Sequence, residues 1–312
     1  MKQQPDGKEG LKRLQAHMRA DPKTSSQALA RVMGGCGVRW GGDYECQSPA
    51  CPDCLRRYIS REQRVAQGWF GHHDNADLAM VSVVLEASSD VTGIGDAIVR
   101  SRDANRNRLK ACRRKSARWD GVYLAGWHEV DAVAADQISL LPPERRELIE
   151  QLVPWSLSSG GPAWVTTYHG IVHMNGFAPQ DIELAFRRQW PLERQVHVQG
   201  LWAHRPVHMN INGIVSYAHK FACTTKLNDR YVEPWPISWR SDFFGWLQSA
   251  QRNAFETLRF TVGPKQSAKA HGHAVAGDNN HDDVDVREHE RHPMPCSFTG
   301  VYHPHYNTGG WR

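Results

Sequence analysis

The chain has 312 residues, 40% of them hydrophobic, and carries a net charge of +5 with a pI near 8.8. That length supports one sizeable domain with an appendage, or two small domains, and that hydrophobic content supports a real core. No window reaches the roughly 20 apolar residues of a membrane span, and the opening Met1-Lys2-Gln3-Gln4-Pro5-Asp6 lacks the apolar core of a secretory signal, so a cytoplasmic protein with no membrane partner is expected.

Residues 1–35 read as a polar, partly helical lead-in whose only apolar stretch is 27–33. Residues 36–54 form a compact loop rich in Gly, Pro, Asp and Cys. In a cytoplasmic chain cysteines are thiols or metal ligands rather than disulfides. Cys36, Cys46, Cys51 and Cys54 follow C-x9-C-x4-C-x2-C. A CxxC knuckle with two further thiolates makes a tetrahedral Zn²⁺ site, and four sulfur ligands leave no open position, so such a zinc is structural. Cys112, Cys223 and Cys296 are scattered and read as ordinary thiols.

Residues 56–70 look like a basic helix. Residues 78–86 (LAMVSVVLE) are rich in β-branched side chains and bounded by polar turns, as in a buried strand. A long helix is expected over 94–118. Nine Lys or Arg fall between Arg100 and Arg118 against one acid, Asp103, which makes Arg106, Lys110, Arg113, Arg114 and Lys115 candidates for gripping a nucleic-acid backbone. A solvated basic face is the plainer reading of such a run.

Strands are expected over 121–133 and 164–174, separated by a loop holding a short helix. A helix over 179–190, a strand over 195–202 and a helix over 212–226 follow. A last helix at 242–258 and a short strand at 259–262 close the ordered part. From 263 the chain is polar and holds seven of the seventeen histidines, too little apolar surface to order itself. The expected fold class is α+β, an antiparallel sheet of four to five strands with helices on one face. It would carry a zinc-binding N-terminal region (1–77), a central domain (78–262) and a disordered tail (263–312).

Two segments carry candidate chemistry. Residues 164–174 (WVTTYHGIVHM) hold His169 and His173 on one strand face, about 13–14 Å apart at full extension. One metal ion needs a bend at Gly170 to bind both, or a further ligand from the preceding strand, which offers His128, Glu129 and Asp131. Mixed imidazole and carboxylate ligands suit Mn²⁺ or Mg²⁺. In 212–226, Tyr217 and Lys220 lie three apart and share a helix face, where the cation would ease ionisation of the phenol.

In order along the chain, Cys36…Cys46…Cys51-Pro52-Asp53-Cys54, Ser82-Val83-Val84-Leu85, Glu129-Val130-Asp131, the histidine strand and Tyr217-Ala218-His219-Lys220-Phe221 resemble the rolling-circle plasmid replication initiators, the Rep_1-like branch of the HUH endonucleases. The resemblance covers roughly residues 36–226, and only the ordered set of short motifs is specific. It implies a DNA-nicking enzyme in which Tyr217 forms a 5′-phosphotyrosine and frees a 3′-OH primer. Lys220 and Glu129 would assist, and His169, His173 and Glu129 would hold the divalent cation. Origin DNA, single-stranded or in a hairpin, and the host helicase and polymerase would be its partners.

One departure stands out: where the family's strand carries the first histidine of its metal-binding pair, this chain has Ile171. Either His169 takes over, or His173 binds with Glu129 and His128, or affinity for the metal falls. A transposase or relaxase on the same domain is a second reading. A zinc-stabilised DNA-binding regulator without catalysis is a third.

Overall fold

The computed structural model describes residues 8–37, 44–152, 161–219, 223–227, 232–250 and 254–263. Its helices are α1 (Lys8–Ala20), α2 (Thr24–Gly34), α3 (Pro52–Phe70), α4 (Gly93–Lys115), α5 (Pro143–Leu152), α6 (Pro179–Arg187), α7 (Val207–Ala218), α8 (Ile237–Ala250) and α9 (Ala254–Leu258). Its strands are β1 (Leu78–Ser88), β2 (Tyr123–Val133), β3 (Ala163–His173), β4 (Val196–Gly200), β5 (Thr224–Lys226), β6 (Val232–Pro234) and β7 (Arg259–Val262). No described helix is long and apolar enough to cross a membrane.

Five strands make one antiparallel sheet in the order β4-β1-β3-β2-β7, and β5 pairs with β6 in a separate ribbon. β3 is central, pairing with β1 from Leu78↔His173 to Ser88↔Trp164 and with β2 from Tyr123↔His173 to Val133↔Ala163. One residue of β1, Leu85, is extra to the ladder, a bulge that keeps its side chain in the core. Gly126 and Gly170 are paired, and the fully buried Tyr168 ring lies across both. A Cβ at either glycine would fall 2.5 or 2.7 Å from the Tyr168 hydroxyl, so only glycine fits this crossing.

The expectation of helices on one face needs correction, because both faces are covered. On one face, α4 and α6 pack through Leu109, Ile182 and Phe186 onto Val81, Val83, Tyr168 and Val172. On the other, α3 and α7 pack through Ala66, Phe70, Ile211, Ile214 and Val215 onto Tyr123, Trp127 and Ile171. Strand residues of both parities are therefore apolar, and β2 and β3 are buried along nearly all their length.

At the end of the sheet α1, α2 and α8 share a core with the four cysteines, in which Leu14, Met18, Leu29, Phe243 and Leu247 are fully or almost fully buried. Residues before 78 thus pack with residues after 236, and the described chain forms one unit. The tail from 264, with its expected disorder and its histidines, lies outside the described residues.

One helix differs in position from expectation. Residues 212–226 were to form it, but the helix starts at Val207, after Pro206, and ends at Ala218 with His219 as cap. Residues 224–226 are strand. Proline fixes φ and lacks a backbone N–H, which suits the entry to a helix, and the apolar period of Ile211, Ile214, Val215 and Ala218 runs no further.

Candidate functional site

The zinc-type cluster is built from the end of one helix, a loop and the start of another. Cys36 follows α2, Cys46 lies in the loop, Cys51 caps α3 and Cys54 is in its first turn, where Pro52 sets the helical φ. All four are buried, and their sulfurs lie within 4.8 Å of one another. Separations are 3.5 Å for Cys36–Cys54 and for Cys46–Cys54, and 3.9 Å for Cys36–Cys51. Tetrahedral Zn–S bonds of about 2.3 Å require sulfur separations of about 3.8 Å. The Cys51 thiol is held well below the usual thiol range by hydrogen bonds from Cys46 and Cys54 and from the first amides of α3, and the same contact with Cys51 pushes Cys46 up. Such a crowded set favours a cation that takes every sulfur as thiolate. The cluster could therefore hold a structural Zn²⁺.

The second site lies on the sheet face beneath α3 and α7. Paired residues on neighbouring strands share a face, so one row runs His197, Ser82, His169, Trp127, Arg259 across all five strands. His169 sits at its centre. Its Nδ1 is 2.9 Å from the Ser82 hydroxyl and its Nε2 is 2.8 Å from Glu129 Oε2. The carboxylate accepts only, so Nε2 carries a proton, and in the neutral ring Nδ1 accepts from Ser82. His169 and Glu129 are both buried.

Above them the Tyr217 ring meets the His169 ring edge to face, with centroids 4.9 Å apart. Tyr217 is in the last turn of α7. Asn212 and Ser216 face α3 through Gln67 and Gln63, and the helical period turns Tyr217 to the opposite flank. There Met80 and Ser82 of β1 and Gln199 of β4 are only half-buried and His197 is exposed, a shelf open to solvent beside the tyrosine.

Of the expected ligands His169, His173 and Glu129, the structure brings together His169 and Glu129 and leaves His173 apart. β3 runs unbent through Gly170, paired on both sides, so the two histidines stay a full four-residue spacing apart. His173 donates from Nδ1 to Gly121 O and stacks near His73, with centroids 4.1 Å apart, and near Tyr123. Ile171, between the two histidines, is fully buried against α7. His128 points to the other face, bonded to Ser101 and to Leu258 O, and burial lowers its pKa to about 3. Asp131 pairs with Arg145. Among the described residues, the four cysteines are the only group of three or more such side chains whose donor atoms converge. Lys220 and Phe221 lie outside the described residues.

Glu129 and His169 still offer one oxygen and one nitrogen side by side. A hard divalent cation is often bound by one or two protein ligands, with waters and substrate phosphates completing its shell. This pair fits such a partial set. Ser82 fits it as well, because a hydroxyl can accept from Nδ1–H once Nε2 gives up its proton.

The basic run on α4 lies on the opposite face of the sheet. Arg113 donates to Val122 O and Gly263 O, Arg102 to Thr257 O and Arg259 O, and Arg108 to Ala185 O, so these guanidiniums brace the fold. Arg106 lies over the Phe260 ring, and Lys110, Arg114 and Lys115 are exposed. Of the candidate DNA-binding residues, Arg113 is thus engaged with backbone carbonyls.

Three further features depend on the fold rather than on the sequence alone. Ser82 stood inside a strand motif, but its pairing with His169 depends on register. Glu62 of α3 is a buried carboxylate that accepts from Trp127 Nε1 and Arg259. Four exposed arginines of α3 were legible only as a basic helix. No family model, curated protein or solved structure matches this chain.

Proposed function

We propose that the chain is a DNA-nicking and strand-transfer enzyme with Tyr217 as nucleophile, a replication initiator of the rolling-circle kind. The supporting observation is the contact of Tyr217 with His169, whose ring is held at both nitrogens by Glu129 and Ser82 beside an open shelf. A tyrosine that must reach a phosphodiester needs this combination of a fixed polar floor and solvent access.

In the proposed step the Tyr217 oxygen attacks phosphorus. The new P–O bond forms as the P–O3′ bond breaks, the phenol loses its proton and the departing 3′ oxygen gains one. The products are a 5′-phosphotyrosine and a 3′-OH primer. A divalent cation held by Glu129 and His169 would neutralise charge on the phosphate oxygens. Glu129 fixes the His169 ring at Nε2, and the Ser82 hydroxyl, able to donate or accept, meets Nδ1 in either tautomer. His197, exposed across from Ser82 in the same row, would donate to a phosphate oxygen. The covalent link conserves the phosphodiester's energy, so strand transfer needs no ATP.

Incubation with a single-stranded origin oligonucleotide and Mn²⁺ should give a covalent protein–DNA adduct that Tyr217→Phe abolishes. An adduct that survives the substitution would move the nucleophile elsewhere. The burial of Ile171 and the remoteness of His173 favour a second reading, a zinc-stabilised DNA-binding regulator. Tight binding to DNA with no cleavage under any divalent ion would establish that reading instead.

A further inference from the structure

α3 carries an arginine stripe that the chemistry above does not use. Arg56, Arg57, Arg61 and Arg64 are all exposed and, with Ser60 and Glu45, line a groove of about 460 Å³ on the helix's outer side. At 100° per residue these positions fill one arc of the helix, next to the flank where Gln63 and Gln67 bond to α7. Two acids adjoin them. Glu45, from the cysteine loop, reaches both Arg57 and Arg61 at 3.3 Å, and Asp53 lies 3.4 Å from Arg56. Four cations against two anions leave the groove positive, and Glu45 holds two guanidiniums in place rather than cancelling the patch.

The surroundings also matter. The cysteine cluster pins the first turn of α3, so the stripe stands on a fixed helix. α7, between the stripe and Tyr217, contains no acidic residue in its sequence VHMNINGIVSYA. A polyanion lying in the groove can cross α7 over Asn212, Gly213 and Ser216 to the shelf without meeting a like charge on that helix. By contrast the exposed cations of α4 lie on the sheet's other face, and several of their neighbours are spent on backbone carbonyls.

We propose that Arg56, Arg57, Arg61 and Arg64 grip the phosphodiester backbone of a nucleic-acid strand and lead it across α7 to Tyr217. Planar guanidiniums match phosphate oxygens in a two-point contact. Such binding is sequence-independent and releases counterions, so it weakens steeply with salt. The identity of the strand as DNA rests on the function proposed above; the surface itself does not depend on nicking.

The test is fluorescence anisotropy of the full chain with labelled single-stranded and duplex oligonucleotides across a salt series. Arg57→Gln/Arg61→Gln and Arg56→Gln/Arg64→Gln each remove two contacts, and each should lower the slope of log K against log salt by about 1.4 to 1.8. Affinity near physiological salt should fall about tenfold for each pair. Unchanged zinc content and circular dichroism identify variants that keep the fold. The triple variant Lys110→Gln/Arg114→Gln/Lys115→Gln should leave both readings nearly unchanged. Equal binding by the α3 variants, loss confined to the α4 variant, or no binding by the wild-type chain overturns the proposal. Normal α3-dependent binding with no Tyr217 adduct instead removes the nicking function and leaves this surface standing.

Discussion

Ser82 has the most to say at the scale of single residues. An imidazole between a carboxylate and a hydroxyl has its orientation set at both nitrogens, and partners of this kind tune the ring without touching substrate. Ser82→Ala removes the hydroxyl from Nδ1 while Glu129 still holds Nε2. In the proposed reaction nicking should fall about 10- to 100-fold, with the Tyr217 adduct still forming slowly. Ser82→Thr keeps a hydroxyl on a residue that suits a strand and should restore most of the rate. Equal rates for the Ala and Thr variants would reduce Ser82 to packing. Ile171 carries the opposite lesson. Its fully buried side chain contributes to the apolar layer under α7, so this position serves packing rather than metal binding.

Among the elements, the cysteine loop depends most on something other than its own sequence for order. It joins α2 to α3, and its cysteines belong to a core that also holds Trp235, Phe243 and Leu247. One zinc per chain is expected by elemental analysis. Cys51→Ser should lower that ratio and the melting temperature together, by on the order of 10 °C. Because α3 carries both the arginine stripe and the contacts with α7, zinc loss should also weaken the proposed nucleic-acid binding. A variant that loses zinc but melts as the wild type does would show that the cluster has no part in holding these helices.

For the molecule as a whole, acid is the informative stress. His128 and His219 are buried, and burial lowers their pKa values to about 3 and about 4. Arg102 beside His128 adds to the shift, whereas Glu129 near His219 opposes it. Both rings are neutral in the fold, while in the unfolded chain they take up protons near pH 6.5. The unfolded state therefore binds more protons below that value. Stability should be flat above about pH 6.5 and fall towards pH 4, with each ring costing about 1.4 kcal/mol per pH unit. Urea unfolding at pH 7.5, 6 and 5 measures the slope. His128→Gln should be less stable at neutral pH and show a shallower slope. An unchanged slope would place the acid sensitivity elsewhere.

Local signals in the chain were enough for the α+β class, for most strands and helices, and for the cysteine cluster. β-branched runs, the helical period and a CxxC knuckle act over a few residues, and their geometry follows from spacing alone. The pairing order β4-β1-β3-β2-β7 was not legible, because register is decided by which faces can be buried together. That register brought Ser82 and Glu129 to His169 and left His173 with His73 and Tyr123. The same holds for charge. A count of basic residues pointed to α4, but only the packed structure separated guanidiniums that brace the fold from those that face solvent on α3. Composition and spacing determined which groups the chain possesses, and long-range packing decided which of them meet.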